Sequence, residues 1–329
     1  MNREDQLIAQ MREIIEAQPH YRKLANSIGD DAALWQPSRS NRSVITTDAL
    51  IEGVHFRTET MSLEDVGWRA MASNLSDLAA MGSRPVLATV ALGVPQDGTG
   101  ADVLEMYRGM LGVASAHRCT IAGGDITRAP GWMISIAAVG EVRASHAKGR
   151  GGARGGDVVA VTGPLGASRA GLHLADNVSM LSETLRDEAL RAHRRPEPRI
   201  REGQFLGASE HVHAMMDISD GLSTDLARLA ARSGCAAVVE SVPVAASAAA
   251  MARARGEDPW DYALSGGEDY ELLLALDARA FRHVSSRFHK RFGRELLAVG
   301  RLREGSGLFQ RKVEREEAIA PTGWDHLRE

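Results

Sequence analysis

Apolar residues recur along this chain at the two spacings that mark helices and strands, about 3.6 and 2. Leu7, Ile8, Met11, Ile14 and Ile15 keep helical spacing over residues 5–17. Residues 26–31 break that pattern, and short β-like runs follow at 32–35 and 43–47, the second ending at Thr46-Thr47-Asp48. Ser62-Leu63-Glu64-Asp65 has the form of a capping box, with Asp at the third position. It predicts a helix from Ser62 to about Ala80, with Leu63, Val66, Ala70, Met71, Leu75 and Leu78 on its core face and Gly82 placed to end it. Residues 86–94 read as a buried strand and 101–117 as a helix. A short strand at 120–122 is expected to deliver a loop, Gly123-Gly124-Asp125, before a longer strand at 132–142.

The glycine-rich stretch 149–156 is the best candidate boundary, dividing the chain into domains 1–148 and 149–329. Beyond it come a strand at 158–162, two or three helices within 166–208, a strand at 215–218 and a helix to about Ser233. Strands at 236–240 and 270–276, a further helix and closing strands complete the order. Helices alternate with strands in both halves, so the fold class is α/β (α+β), and no short-period repeat is present.

At 329 residues, with 44% hydrophobic content, the chain has material for two cores. No apolar run approaches the ~20 residues of a membrane span, and the charged start is unlike a secretory signal; the cytoplasm is expected. A net charge of −4 with intermixed signs argues against a nucleic-acid surface. The densest basic stretch, Arg191, Arg194, Arg195 and Arg199, reads as a solvated helix end and loop. Cys119 and Cys235 form no CxxC pair and read as buried small hydrophobes.

Aspartates stand where strands are expected to end: Asp30, Asp31, Asp48, Asp125, Asp217 and Asp220, with Asp77 one helical turn after Asn74. Magnesium in phosphoryl-transfer sites takes a few carboxylates plus phosphates and water, and Thr46 and Thr47 add oxygens beside Asp48. A lone Asp at such a place is more often a turn former or an N-cap, a role that suits Asp220 before Gly221. Spacing alone leaves both readings open. A GxxxxGK[ST] loop, a protein-kinase catalytic loop, a GxGxxG fingerprint and HExxH are all absent from the sequence. His211 and His213 alternate as a strand pair would, a weak metal signal.

Around these residues the chain resembles the thiamine-monophosphate kinase family, within the superfamily of aminoimidazole ribonucleotide synthetase, selenophosphate synthetase and the hydrogenase-maturation dehydratase. The matching stretches are 28–33, 47–56, 72–82, 122–128, 156–163, 216–222, 265–272 and 323–326, in family order. Glu52-Gly53-Val54-His55-Phe56 and Ser265-Gly266-Gly267-Glu268-Asp269-Tyr270-Glu271 point to the kinase rather than to its relatives. The resemblance implies ATP-dependent phosphorylation of thiamine monophosphate to thiamine diphosphate by direct in-line transfer. It further implies a two-domain fold like that of aminoimidazole ribonucleotide synthetase. The N-terminal domain would bind ATP and magnesium and pair its sheet in a homodimer, and the C-terminal domain would complete the active site. By position it implies Asp30, Thr46, Thr47, Asp48, Asp77, Asp125, Asp217 and Asp220 as magnesium ligands, of which Asp30, Asp48, Asp77 and Asp217 carry the catalysis. Tyr107, Gly124, Asp125, Arg150 and Ser219 would contact ATP; His55, Glu268 and Trp324 would contact thiamine monophosphate. One departure is Leu165-Gly166-Ala167-Ser168, where the family often has Asp at the third place. The alternatives are another enzyme of the superfamily or an inactive regulator that binds ATP or thiamine phosphates. Against the first, no Cys precedes Cys119 and none lies near His326-Leu327-Arg328-Glu329.

Overall fold

The computed structural model describes residues 3–18, 24–26, 32–176, 181–312 and 315–324. The expected ligand Asp30, with Asp31, lies outside them. The chain divides into two compact units, residues 1–78 with 83–144, and residues 79–82 with 145–329.

The first unit contains α1 (Arg3–Glu16), β1 (Leu24–Asn26), β2 (Leu34–Trp35), β3 (Asn41–Ile51) and α2 (Leu63–Ala80). It continues with β4 (Arg84–Val94), α3 (Gly100–Ala116), β5 (Thr120–Arg128) and β6 (Met133–Arg143). The order across its main sheet is β3-β6-β4-β5. Ser62 Oγ accepts the Asp65 N–H at 3.2 Å, as the cap sequence predicts, while α3 opens on a full capping box between Thr99 and Asp102. Directly paired residues point to one side of a sheet. On that rule Ile134, Ile136, Ala138, Ala88, Val90 and Leu92 line one face, each no more than 1% exposed. The helices cover this face: Leu78 of α2 lies against Gly140, and Thr46 is hydrogen-bonded to Asp77 of α2. The opposite face is more open, and Ile45, Ile51 and Met133 remain exposed on it.

Two strands are longer than their sequence suggests. β3 runs eleven residues and β5 nine, so Asp48 and Asp125 lie inside strands rather than at their exits. In β5 the cause is local. Pairing with β4 skips Ala122, leaving a bulge, and Gly123 turns through φ +149° before the ladder resumes at Gly124. A glycine pair that reads as a breaker here carries a strand past an irregularity.

The second unit follows with β7 (Val158–Val161), α4 (Ala167–Asp176), α5 (Glu183–Arg194), α6 (Ile200–Gly207), β8 (Val212–Asp217), α7 (Leu222–Arg232) and β9 (Cys235–Val239). Next come α8 (Ala246–Ala254), α9 (Pro259–Ser265), β10 (Leu272–Leu276), α10 (Phe281–Phe292), β11 (Leu297–Glu304), β12 (Leu308–Lys312) and β13 (Arg315–Ala318). One sheet orders them β13-β12-β9-β11-β7-β10-β8. Its core packs Val159, Val161, Met216, Ala237, Leu273 and Val299 against Leu222, Leu226 and Leu229 of α7. The stretch at 149–152 is tied down within this unit. Gly149 C=O accepts the Met215 N–H at 3.0 Å, and Arg150 C=O accepts Ser233 Oγ–H at 3.0 Å. Among the described residues no helix is long and apolar enough to cross a membrane.

Candidate functional site

In the first unit, β3 presents alternate residues to opposite faces. Thr46 and Asp48 point to the helix-covered side. There Thr46 Oγ1–H donates to Asp77 Oδ2 at 2.5 Å, and the Asp48 N–H donates to Asn74 Oδ1 at 3.2 Å. Asn74 and Asp77 are three residues apart, hence on one face of α2. Asn74 satisfies a donor that an edge strand would otherwise leave to solvent. This brings Thr46, the backbone of Asp48, and Asp77 to one place, and adds Asn74, whose position one turn before Asp77 is its sequence signal.

Register separates the other members. Thr47 and Asp125 fall on the open face, in line respectively with Ala137 and Thr89, and with Ser135 and Ala91. Gly124 sits where a β-carbon would lie 1.9 Å from Val90 O, so the bare backbone is required for β5 to pair. Tyr107 is packed inside α3 at 2% exposure, where burial drives its phenol pKa upward. Its expected nucleotide contact therefore has no solvent-facing surface within this unit. His55 lies in the turn after β3, and its Nδ1 accepts the Ile51 N–H at 3.1 Å. An accepting Nδ1 in a neutral ring leaves the proton on Nε2, so the imidazole offers a donor.

In the second unit three distant segments are knitted through the backbone. The Glu268 N–H donates to Ser219 O at 2.8 Å, Tyr270 N–H to Ile218 O at 3.0 Å, and Ile218 N–H to Glu271 O at 2.9 Å. These bonds carry the β8–β10 pairing beyond Asp217↔Leu272 into the loops. Trp324 N–H then donates to Asp220 O at 3.0 Å. Asp217, Ser219, Asp220, Glu268 and Trp324 are thereby assembled from three parts of the chain. Glu268 and Tyr270 hold left-handed backbone, φ +62° and +50°, a strain that non-glycine residues rarely carry outside special sites.

The carboxylates here have distinct tasks. Asp220 is not an N-cap: Gly221 takes that position with no side-chain bond, and Asp220 pairs with Arg228. Asp225, within α7, reaches back instead, its Oδ2 accepting the N–H groups of Ser219 at 3.1 Å and Asp220 at 3.0 Å. The sequence reading missed it, although an acidic residue in a helix's first turn is a usable signal. Burial, then the charge of Asp220, pushes its pKa up to about 6. Asp269 accepts the Gly166 N–H at 2.7 Å and the Ser168 N–H at 3.3 Å, supplying a carboxylate to the turn where Ala167 departs from the family pattern. Burial raises its pKa to about 7.

Arg199 is no solvated loop residue. Its Nη2 donates to Glu271 Oε1 at 2.6 Å and its Nε to Oε2 at 3.0 Å. His213 faces Asp157 at 2.9 Å. Cys119 and Cys235 are free and buried, and burial pushes the Cys119 thiol up to about 12. Arg150 is exposed. Among the described residues, no three His, Cys, Asp or Glu side chains converge to hold a metal ion.

Residues 29–142 match the family model for the AIR synthase related protein N-terminal domain, and residues 154–309 that for its C-terminal domain. With the two sheets described, these matches define a two-domain protein of the AIR synthase related class. A thiamine-monophosphate kinase from Rhodopirellula baltica is 36% identical over 315 residues, 92% of each chain. The crystal structure of thiamine-monophosphate kinase from Stenotrophomonas maltophilia aligns with a TM-score of 0.82 at 34% identity, covering 92% of this chain and 95% of that one. AaThiL complexed with AMPPCP and TMP aligns at 0.78 with 32% identity, covering 98% and 96%. The chain belongs to the thiamine-monophosphate kinase family.

Proposed function

We infer that this protein phosphorylates thiamine monophosphate with ATP, giving thiamine diphosphate. The kinase relatives support the reaction, and the relative solved with AMPPCP and TMP supports the ligand pair. Within the chain, the observation that carries it is the backbone knit joining residues 217–220, 268–271 and 324, which draws five expected contact residues into one place.

The acceptor is a phosphate monoester with a second pKa near 6, so it is largely dianionic at neutral pH. An anionic oxygen attacking phosphorus needs no general base. His55 fits this, since it offers a proton for hydrogen bonding rather than a lone pair for abstraction. The remaining difficulty is repulsion between two charged phosphates, and phosphoryl transfer is chiefly a matter of positioning and charge stabilisation.

Magnesium suits the donors present. Thr46, Asp48, Asn74 and Asp77 in the first unit, and Asp217 and Asp220 in the second, all offer hard oxygens. One or two carboxylates completed by phosphate and water are the usual magnesium arrangement in such sites, so a full protein cage is not required. When bound, the ion neutralises phosphate charge. Asp30 is carried here as a further ligand on the family resemblance. Arg150, Gly124 and Ser219 are assigned to ATP; Glu268 and Trp324 are assigned to the acceptor. Trp324 suits the cationic thiazolium, because an indole face attracts a cation. The open face of the first sheet, with Ile45, Ile51 and Met133 exposed, fits a homodimer contact. Reliance on ATP fits a cytoplasmic setting.

The test is ADP release with thiamine monophosphate and with thiamine as alternative acceptors. Thiamine, whose neutral hydroxyl does need a base, is expected to react at least ~10²-fold more slowly. Equal rates would reject direct attack by the anionic phosphate.

A further inference from the structure

Resting on the assignment of Trp324 to the thiamine phosphate, we propose that Ser223 and Thr224, with the bare backbone at Gly323, are the positioning residues that set this indole. Three successive N–H groups of the chain's last described segment are spent on the start of α7. Thr322 N–H donates to Ser223 Oγ at 3.1 Å, Gly323 N–H to Thr224 Oγ1 at 3.0 Å, and Trp324 N–H to Asp220 O at 3.0 Å. Ser223 Oγ also meets Thr322 Oγ1 at 3.2 Å. The approach is close enough to forbid a side chain. A β-carbon on Gly323 would lie 1.9 Å from Asp220 O and 2.5 Å from Thr224 Oγ1.

The arrangement has a direction. Ser223 is fully buried and held by the helix, while Trp324 is 55% exposed. The backbone that carries this indole is fixed at three consecutive points. The same Asp220 residue contributes the carbonyl of the third point and the carboxylate paired with Arg228. The acceptor-facing indole and the acidic loop are thus set by one turn of chain. Were the segment only an anchor for the chain end, its loss would lower stability and weaken both substrates together. As a positioning device it acts on the acceptor alone.

Thr224→Val keeps the side-chain shape and removes the acceptor of the Gly323 N–H. Calorimetry with thiamine monophosphate in the presence of AMPPCP, the two KM values and the melting temperature are measured on one set of proteins. Thr224→Val is expected to weaken thiamine monophosphate roughly three- to tenfold. Its kcat, its KM for ATP and its melting temperature should stay close to the parent's. Thr224→Ser should restore binding, and Gly323→Ala should weaken it further. If Trp324→Ala weakens the acceptor while Thr224→Val and Gly323→Ala leave it unchanged, the positioning role is overturned. Equal losses for both substrates with a lowered melting temperature also overturn it, leaving an anchor. Should Trp324→Ala itself bind thiamine monophosphate normally, it is the assignment of the indole that fails. Absence of binding by the parent protein would refute the kinase reading beneath both.

Discussion

Among single residues, Asp77 and Asn74 separate charge from shape. Thr46 Oγ1–H donates to Asp77 Oδ2, and an amide oxygen accepts that bond equally well. Asp77→Asn should therefore fold normally and melt as the parent does, yet lose turnover by about 10²–10³, the scale of one removed electrostatic stabiliser. Asn74→Ala should do the converse. Asn74 is fully buried and accepts the Asp48 N–H, so its loss is expected to cost about 1–2 kcal/mol in urea denaturation, with a smaller fall in rate. Parallel losses of rate and stability in both variants would contradict this division. The identities of Thr46, Asp48 and Asp77 are legible in the sequence as oxygen donors. Which neighbour shares a face with which is not, because that depends on the register of β3 with β6. Thr46 and Thr47 look equivalent in the sequence, and the sheet sends them to opposite sides.

At the level of elements, Glu271 shows how a motif residue can serve structure. It lies just before β10, accepts Thr162 Oγ1–H from the end of β7 at 2.6 Å, and pairs with Arg199 before α6 and Arg294 after α10. Burial raises its pKa, but the two guanidiniums and the hydrogen bonds outweigh this and hold it below the ordinary 4.5. A depressed folded value means that the ionised form favours the native state. That stabilisation is complete above 4.5 and is lost as pH falls through the depressed value. Glu271→Gln takes from Arg199 and Arg294 the carboxylate nearest to both, with Glu202 still 3.6 Å from Arg294, and is expected to cost about 3 kcal/mol at pH 7. Denaturation repeated at decreasing pH should show the gap to the parent narrowing below 4.5; a gap constant with pH would exclude the ionic role. The sequence offers no hint that Arg199 belongs to this cluster, since its partner stands 72 positions away. α8 leaves no sequence signal for a different reason: Ala245 to Ala250 offer too little contrast between apolar and polar positions to show a period. β3 and β5 outrun their sequence pattern because threonine, aspartate and glycine weaken a strand signal that long-range pairing restores.

For the whole molecule, the order of elements and the acidic and glycine motifs were readable because each depends on neighbours within a few residues. The knit of residues 217–220 with 268–271 and 324 depends on contacts between residues about fifty to a hundred positions apart, and only the fold reveals it. The open face of the first sheet has a consequence for how the enzyme must be assayed. Ile45 is 72% exposed, and it shares this face with Thr47 and Asp125. If a second copy covers the face, two residues that the family resemblance implies as ligands, Thr47 and Asp125, sit against that contact, and the rate law acquires a term for pairing. Specific activity should then fall on dilution, the rate decaying as the diluted pairs dissociate, and recover on reconcentration. An Ile45→Glu variant should reach half its activity at a much higher protein concentration than the parent. A rate strictly proportional to enzyme down to concentrations where sedimentation shows single chains would mean that one chain suffices.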